Sequence, residues 1–200
     1  MYQLIKRAFD FILSLAGIII FSPIFVIIAI SIKVDTKGPV FFKQKRAGKN
    51  GKPLYIYKFR TMVTNAEELI ATFSPEQKKE WEENYKLKDD PRITRVGKLL
   101  RKTSLDELPQ LINILKGEMS IVGPRPVVEE ELSWYKNDVD TILSVKPGLT
   151  GWWAVNGRSE VPYPKRCDLE MYYVRNACLL LDIKILFYTI KAVFSQKGAV

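Results

Sequence analysis

The 22 residues from Phe11 to Ile32 carry no charge, and Ser14, Gly17, Ser22, Pro23 and Ser31 are their only soft spots. As a single helix such a run is long enough to cross a bilayer core of about 30 Å. It is too long for the apolar part of a cleaved signal peptide, and no small-x-small cleavage site follows it. Pro23 sits at its centre beside Ser22, where proline removes a backbone donor and bends a helix. Both flanks are basic, with Lys6 and Arg7 before the run and Lys33 and Lys37 after it. The positive-inside rule therefore assigns no orientation. Two geometries fit: a kinked single crossing, since spanning helices tolerate proline, and a re-entrant helix-break-helix that dips in and returns to the same side. Residues 1–34 are expected to form the membrane anchor and residues 35–200 a cytoplasmic domain.

Charge is concentrated next to the anchor. The formal net charge of the 200-residue chain is +9, and the stretch from Lys33 to Arg60 holds nine cations against Asp35 alone. A basic block beside an apolar segment suits anionic headgroups or phosphorylated substrates. Nucleic acid is the competing partner, and no binding motif supports it. Cys167 and Cys178 show neither metal-ligand spacing nor disulfide density, so they read as reduced thiols.

Beyond the anchor the pattern is that of an α-rich α+β domain. Val40 to Gln44 and Leu54 to Phe59 lean to strand, with Asn50-Gly51 between them as a hairpin signal. Gly51-Lys52 is followed by Pro53, which excludes a phosphate-binding loop of the Gly-x-x-x-x-Gly-Lys-Ser/Thr kind. Short helices are expected over Asn65–Phe73, from Ser74-Pro75 through Lys88, and over Thr94–Lys102 with Val96, Leu99 and Leu100 on one side. A further helix is expected from Ser104, capped by a Ser104/Glu107 box, to Gly117. Leu179, Ile183, Leu186, Phe187, Ile190, Val193 and Phe194 recur at helical spacing, which fits either a core helix or one lying in the headgroup layer.

The chain contains no histidine, so catalysis must rest on carboxylates, cations, hydroxyls or a metal. The adjacent pair Asp106-Glu107 stands out, because first-turn placement favours a bare carboxylate and also attracts phosphate. Acidic residues favour first turns for stability alone, so the surroundings decide. Three turn-rich segments follow: Gly123-Pro124-Arg125-Pro126, Lys146-Pro147-Gly148-Leu149-Thr150-Gly151 and Asn156-Gly157-Arg158. An arginine on a loop stiffened by proline and glycine presents its planar fork at a defined angle, which suits phosphate oxygens.

These strings, together with Phe21-Ser22-Pro23, Tyr57-Lys58-Phe59-Arg60-Thr61-Met62, Gly97-Lys98-Leu99-Leu100-Arg101 and Ser104-Leu105-Asp106-Glu107-Leu108-Pro109-Gln110, occur in an order that resembles the bacterial sugar transferases. These are monotopic polyprenyl-phosphate phosphoglycosyl transferases. The short length and lone apolar segment are similar to the minimal members. The resemblance implies transfer of a sugar-1-phosphate from a UDP-sugar to polyprenyl (undecaprenyl) phosphate, giving a polyprenyl diphosphate-sugar and UMP and initiating a surface glycan. It implies a bacterial inner-membrane protein whose catalytic domain faces the cytoplasm, and it favours the re-entrant anchor broken at Ser22-Pro23. Asp106 is then expected to be the nucleophile, forming an aspartyl-phosphosugar intermediate, and a Mg²⁺ ligand. Glu107 is expected to assist with the metal or with a proton. Lys58, Arg60, Arg101, Arg125 and Arg158 are the expected phosphate-binding cations. The competing reading is a non-catalytic membrane-anchored scaffold for polysaccharide assembly, which gives no reason for Asp106-Glu107 among arginine loops.

Overall fold

The computed structural model describes residues 1–84, 87, 89–157 and 161–195. Its longest element is α1 (Tyr2–Asp35), about 50 Å at 1.5 Å per residue. Among the described residues it is the one helix long and apolar enough to cross a membrane. The rest of the chain holds α1 from end to end. The Tyr2 hydroxyl and Lys6 Nζ donate to Asp182 Oδ2 at 2.9 and 2.8 Å. Arg7 donates to the Ile114 and Leu115 carbonyls at 2.7 and 2.8 Å. Buried Asp10 accepts from Ser120 Oγ and the Ile121 N–H, and Asp35 accepts from the Val96 N–H at 3.1 Å. Between these polar clasps, Ile28 and Ile32 share a core with Phe59 and Leu100. The opposite face stays bare: Ile12, Ile19, Ile20, Val26, Ile27 and Ile30 are all exposed.

The expected break at Ser22-Pro23 does not interrupt α1, which is helical on both sides of Pro23. The local chemistry explains how. Proline at position 23 withdraws the donor that an α-helix would aim at the Ile19 carbonyl. Ser22 Oγ donates to that carbonyl at 2.8 Å, so the serine replaces the bond its neighbour removes.

After α1 come β1 (Phe41–Ala47) and β2 (Pro53–Phe59). They pair antiparallel from Phe41↔Phe59 to Ala47↔Pro53, and the connection turns through left-handed Asn50 (φ 57°) and Gly51 (φ 71°). Next come a 3₁₀ turn over Glu68–Thr72, α2 (Pro75–Asn84), α3 (Arg95–Thr103) and α4 (Gln110–Lys116). The first of the expected short helices is thus only a 3₁₀ turn. The Ser74 cap of α2 is real: Gln77 N–H donates to Ser74 Oγ, and Ser74 N–H donates to Gln77 Oε1. The expected end of that helix at Lys88 lies outside the described residues. On α3, Val96 and Leu100 face inward, whereas Leu99 is 61% exposed. Asn113 on α4 grips the hairpin edge, donating to the Tyr55 carbonyl and accepting from the Tyr57 N–H.

The helix expected from Ser104 to Gly117 is instead divided. Ser104 adopts a left-handed φ of 58° and ends α3, and its N–H is bonded to the Arg101 carbonyl. Leu105–Glu107 then form a 3₁₀ turn. Proline at 109 lacks a donor, and α4 begins only after it. Glu107 reaches Lys58 rather than closing a capping box. Gly117 does end α4 as expected, with φ 83°.

β3 (Ser120–Val122) and β4 (Gly148–Thr150) pair in parallel, Ser120↔Gly148 and Val122↔Thr150. The turn-rich strings flank this pair. A Cβ on Gly148 or Gly151 would collide with the backbone of Gly123, so the two loops pack main chain against main chain. Between β3 and β4 lie a 3₁₀ segment over Glu129–Asp138 and α5 (Val139–Leu143). The chain continues through α6 (Trp152–Val155), α7 (Lys165–Asn176) and α8 (Leu179–Ser195). On α8, Leu181 and Ile185 are buried, while Leu180, Ile183, Phe187 and Ile190 are exposed. Four residues of the periodic stripe, Leu179, Ile183, Phe187 and Ile190, are thus exposed.

The Ser22–Ile19 bond yields a prediction. Ser22→Ala strands a carbonyl in an apolar setting and should lower the melting temperature in detergent, a loss of roughly 1 kcal/mol. Adding Pro23→Ala to that variant restores a backbone donor and should recover the loss. A thermal-melt comparison of single and double variants checks both.

Candidate active site

The Asp106-Glu107 turn is held by its neighbours on either side. Leu105 and Leu108 pack against the core that Ile28 and Ile32 of α1 share with Phe59 and Leu100. The two carboxylates are thus fixed against the apolar helix by hydrophobic contact, with α3 leading in and α4 leading out. The left-handed Ser104 sets their direction by ending α3 immediately before them.

Four of the expected residues come together here. Lys58 Nζ lies 2.7 Å from Glu107 Oε1, delivered by β2. Arg101, in the last turn of α3, donates from Nε to Thr61 Oγ1 at 3.0 Å, which aims its guanidinium. Asp106 feels both cations and the Glu107 charge. Burial raises its pKa from 3.8 to about 6, against the pull of Lys58 and Arg101 and with the repulsion of Glu107 added. That rise corresponds to up to roughly 3 kcal/mol favouring the neutral acid. Desolvation therefore outweighs two nearby positive charges. Burial also lowers the Arg101 pKa, though a guanidinium remains charged. The 3₁₀ turn leaves no α-helical first turn beneath Asp106, so the cations, not a helix dipole, are what this turn offers an anion.

The other expected cations are distributed differently. Arg60 is buried, and its guanidinium donates to the Thr36 and Lys37 carbonyls at 3.0 and 2.8 Å. Through these two bonds it secures the end of α1, while its buried Nε has no hydrogen-bond partner among the described residues. Arg125 follows the Gly123 contact. Its N–H donates to Glu170 Oε2 and its guanidinium stacks 5.2 Å from the Trp153 ring centre. Arg158 lies outside the described residues.

Several residues near this site carry no motif signal. Arg46 is buried on β1 and senses Glu107, but in the sequence it is one lysine-or-arginine among nine. Arg166 shares the Trp153 ring with Arg125, at 4.7 Å, and Glu170 is hidden in the ordinary pattern of α7. Thr61 does stand inside a conspicuous string, yet only the contact with Arg101 assigns it a positioning task.

For a metal, the donor set is modest. Among the described residues no three acidic or thiol side chains converge. Two adjacent carboxylates fit Mg²⁺, which commonly takes one or two protein carboxylates and completes its shell with phosphate oxygens and water.

The chain matches the family model described as bacterial sugar transferase over residues 1–196. An undecaprenyl-phosphate galactose phosphotransferase of Salmonella typhimurium is 47% identical over 200 residues, covering 98% of this chain and 42% of the relative. Exopolysaccharide production protein ExoY of Sinorhizobium fredii is 45% identical over 197 residues, covering 97% and 87%. A UDP-glucose:undecaprenyl-phosphate glucose-1-phosphate transferase of Escherichia coli K12 is 38% identical over 205 residues, covering 98% and 42%. The chain thus spans about two fifths of the first and third of these relatives and most of the second.

The raised Asp106 pKa sets a stability signature. Between about pH 4 and 6 the folded chain keeps a proton that the unfolded chain has lost, so this group lowers stability as pH rises through that window. Asp106→Asn removes the effect. The variant should melt above the parent at pH 7 and lose that advantage near pH 4, as thermal denaturation across pH would reveal.

Proposed function

Since the chain belongs to the bacterial sugar transferase family, we propose that it is a phosphoglycosyl transferase acting on a UDP-sugar and polyprenyl phosphate. The products are polyprenyl diphosphate-sugar and UMP, and the step initiates a surface polysaccharide or glycoconjugate. The observation that carries the reading is the Asp106-Glu107 turn, flanked by Lys58 and Arg101 and packed by Leu105 and Leu108 onto α1. Relatives whose names specify undecaprenyl-phosphate sugar-phosphate transfer support it.

The bare face of α1 and the outward stripe of α8 support a lipid-embedded anchor, and the family resemblance favours a domain on the cytoplasmic face of the inner membrane. Both ends of α1 are clasped by the same domain, which favours a helix that enters and returns over one that leaves its domain behind. At Pro23 α1 stays helical, with Ser22 replacing the lost bond, so such a helix would bend there rather than break.

In the first half-reaction an Asp106 carboxylate oxygen attacks the sugar-proximal phosphorus. A P–O bond to the nucleotide breaks, its electron pair leaves with UMP, and an aspartyl-phosphosugar remains. In the second, a polyprenyl phosphate oxygen attacks that phosphorus, breaking the bond to Asp106 and restoring the carboxylate. Each displacement brings anions together, so charge neutralisation is the main catalytic demand. Lys58 and Arg101 supply it beside Asp106, and Arg125 supplies it further along the donor. Mg²⁺, held by Asp106 with help from Glu107, contributes further charge neutralisation on the diphosphate when bound. Burial serves the nucleophile as well: a carboxylate with a raised pKa is poorly solvated and more basic.

A donor panel of UDP-sugars, offered with polyprenyl phosphate, should give UMP rather than UDP. Asp106→Asn should abolish that release, and EDTA should stop it until Mg²⁺ is restored; turnover indifferent to either change refutes the assignment concerned. The rate should fall as pH drops below about 6, and Lys58→Met, which removes a stabilising cation, should move that fall to higher pH.

A further inference from the structure

A second charged cluster lies beyond Asp106, on the loops and helices that follow it. Arg125 and Arg166 both stack on Trp153, at 5.2 and 4.7 Å, so two like charges share one ring. Arg46 is 9% exposed, and its pKa is lowered to about 10 by burial and by the repulsion of Arg125. Among the described residues Glu131 and Glu107 offset the Arg46 charge only in part. Glu131 lies 3.6 Å from Arg46 Nη1, and its carboxylate also accepts from the Val128 N–H. Glu170 is 1% exposed, and burial raises its pKa to about 8, which disfavours a carboxylate charge there. Among the described residues the Nε atoms of all three arginines, Trp153 Nε1 and Glu170 Oε1 are buried without a hydrogen-bond partner. Native interiors seldom leave such groups unmatched. A concentration of buried donors with a surplus of positive charge is complementary to phosphate oxygens.

The register of the hairpin places this cluster relative to Asp106. Phe42 pairs with Lys58 and Arg46 with Leu54. Cross-strand partners share a face, as do residues four apart on a strand. Lys58 and Arg46 therefore occupy one face, about 13 Å apart along the strand. Leu54 and Ile56, on the same face between them, are buried against α4, so the two cation groups are linked by Arg46 itself, which senses both Glu107 and Arg125. An extended donor with its sugar-proximal phosphorus at Asp106 brings its nucleotide half toward that group.

We propose that Arg46, Arg125 and Arg166, grouped around Trp153 and Glu170, hold the nucleotide half of the donor through its phosphate. Arg166, Arg46 and Glu170 thereby join the binding site, and the partnerless donors acquire acceptors only when a nucleotide is bound. The inference rests on the donor being a nucleoside diphosphate sugar, as proposed above.

The test is UMP binding to the full chain in lipid nanodiscs, followed by calorimetry, with uridine and inorganic pyrophosphate as parallel probes. The parent should bind UMP and pyrophosphate but not uridine. Arg166→Gln should weaken UMP binding at least about tenfold while the melting temperature stays close to that of the parent. Arg166→Lys, which keeps the charge and loses the fork, should fall between them and carries the test if the glutamine variant does not fold. A parent that binds UMP and releases it from a UDP-sugar, alongside Arg166 variants that bind UMP equally well, overturns this inference and leaves the transferase reading intact. A parent that binds no UMP and releases none overturns both. Uridine binding as tight as UMP overturns recognition through the phosphate.

Discussion

The polar clasps on α1 are the constraint from which the rest of the structure follows. A 34-residue helix with an apolar outer face would otherwise have no fixed relation to the domain behind it. Lys6 and Tyr2 on Asp182, Arg7 on the end of α4, Asp10 on the start of β3 and Asp35 on the start of α3 fasten it to four elements. The Lys6–Asp182 pair is largely desolvated, with side chains 13% and 8% exposed. Removing one partner of such a pair typically costs several kcal/mol. Once α1 is fastened, its inward isoleucines form the floor for Leu105 and Leu108, and these hold the acidic turn between them.

That arrangement answers a physical problem. On the proposed reading a water-soluble donor and a lipid-borne phosphate must reach the same atom, and both are anions. A carboxylate buried against the apolar helix would be available to both, but at the energetic cost recorded in its raised pKa. Cations from separate elements, Lys58 from the hairpin and Arg101 from α3, offset part of that cost. The close packing of the Gly123 and Gly148 loops then fixes where Arg125 begins, without spending a side chain on the junction.

Much of this was legible in the residues themselves. The apolar run, the Asn-Gly turn, the Ser74 cap and the Gly117 stop all appear where local chemistry places them. The acidic pair stood out because, without histidine, catalysis falls to carboxylates, cations, hydroxyls or a metal, and this pair precedes a run of arginine-bearing loops. What escaped was set by long-range partners. The Ser104/Glu107 spacing reads as a cap, yet Lys58 competes for Glu107 and left-handed Ser104 ends the helix first. Arg60 reads as one more phosphate-binding cation, and the structure adds a second task, since its two Nη atoms secure the end of α1. Ser22-Pro23 reads as a break, and only the Ile19 carbonyl reveals how the pair keeps the helix continuous. Arg46, Arg166 and Glu170 show nothing in one dimension because their significance lies in missing partners.

The claim at the centre is that Asp106 becomes covalently bonded to phosphorus. The most direct measurement is intact-protein and peptide mass spectrometry of the full chain in lipid, rapidly quenched after exposure to its UDP-sugar donor alone. The account predicts a phosphosugar on the peptide bearing Asp106, one UMP released per adduct, and loss of the adduct when polyprenyl phosphate is added. Active protein that releases UMP only when the acceptor is present, and never gains that mass, would contradict it.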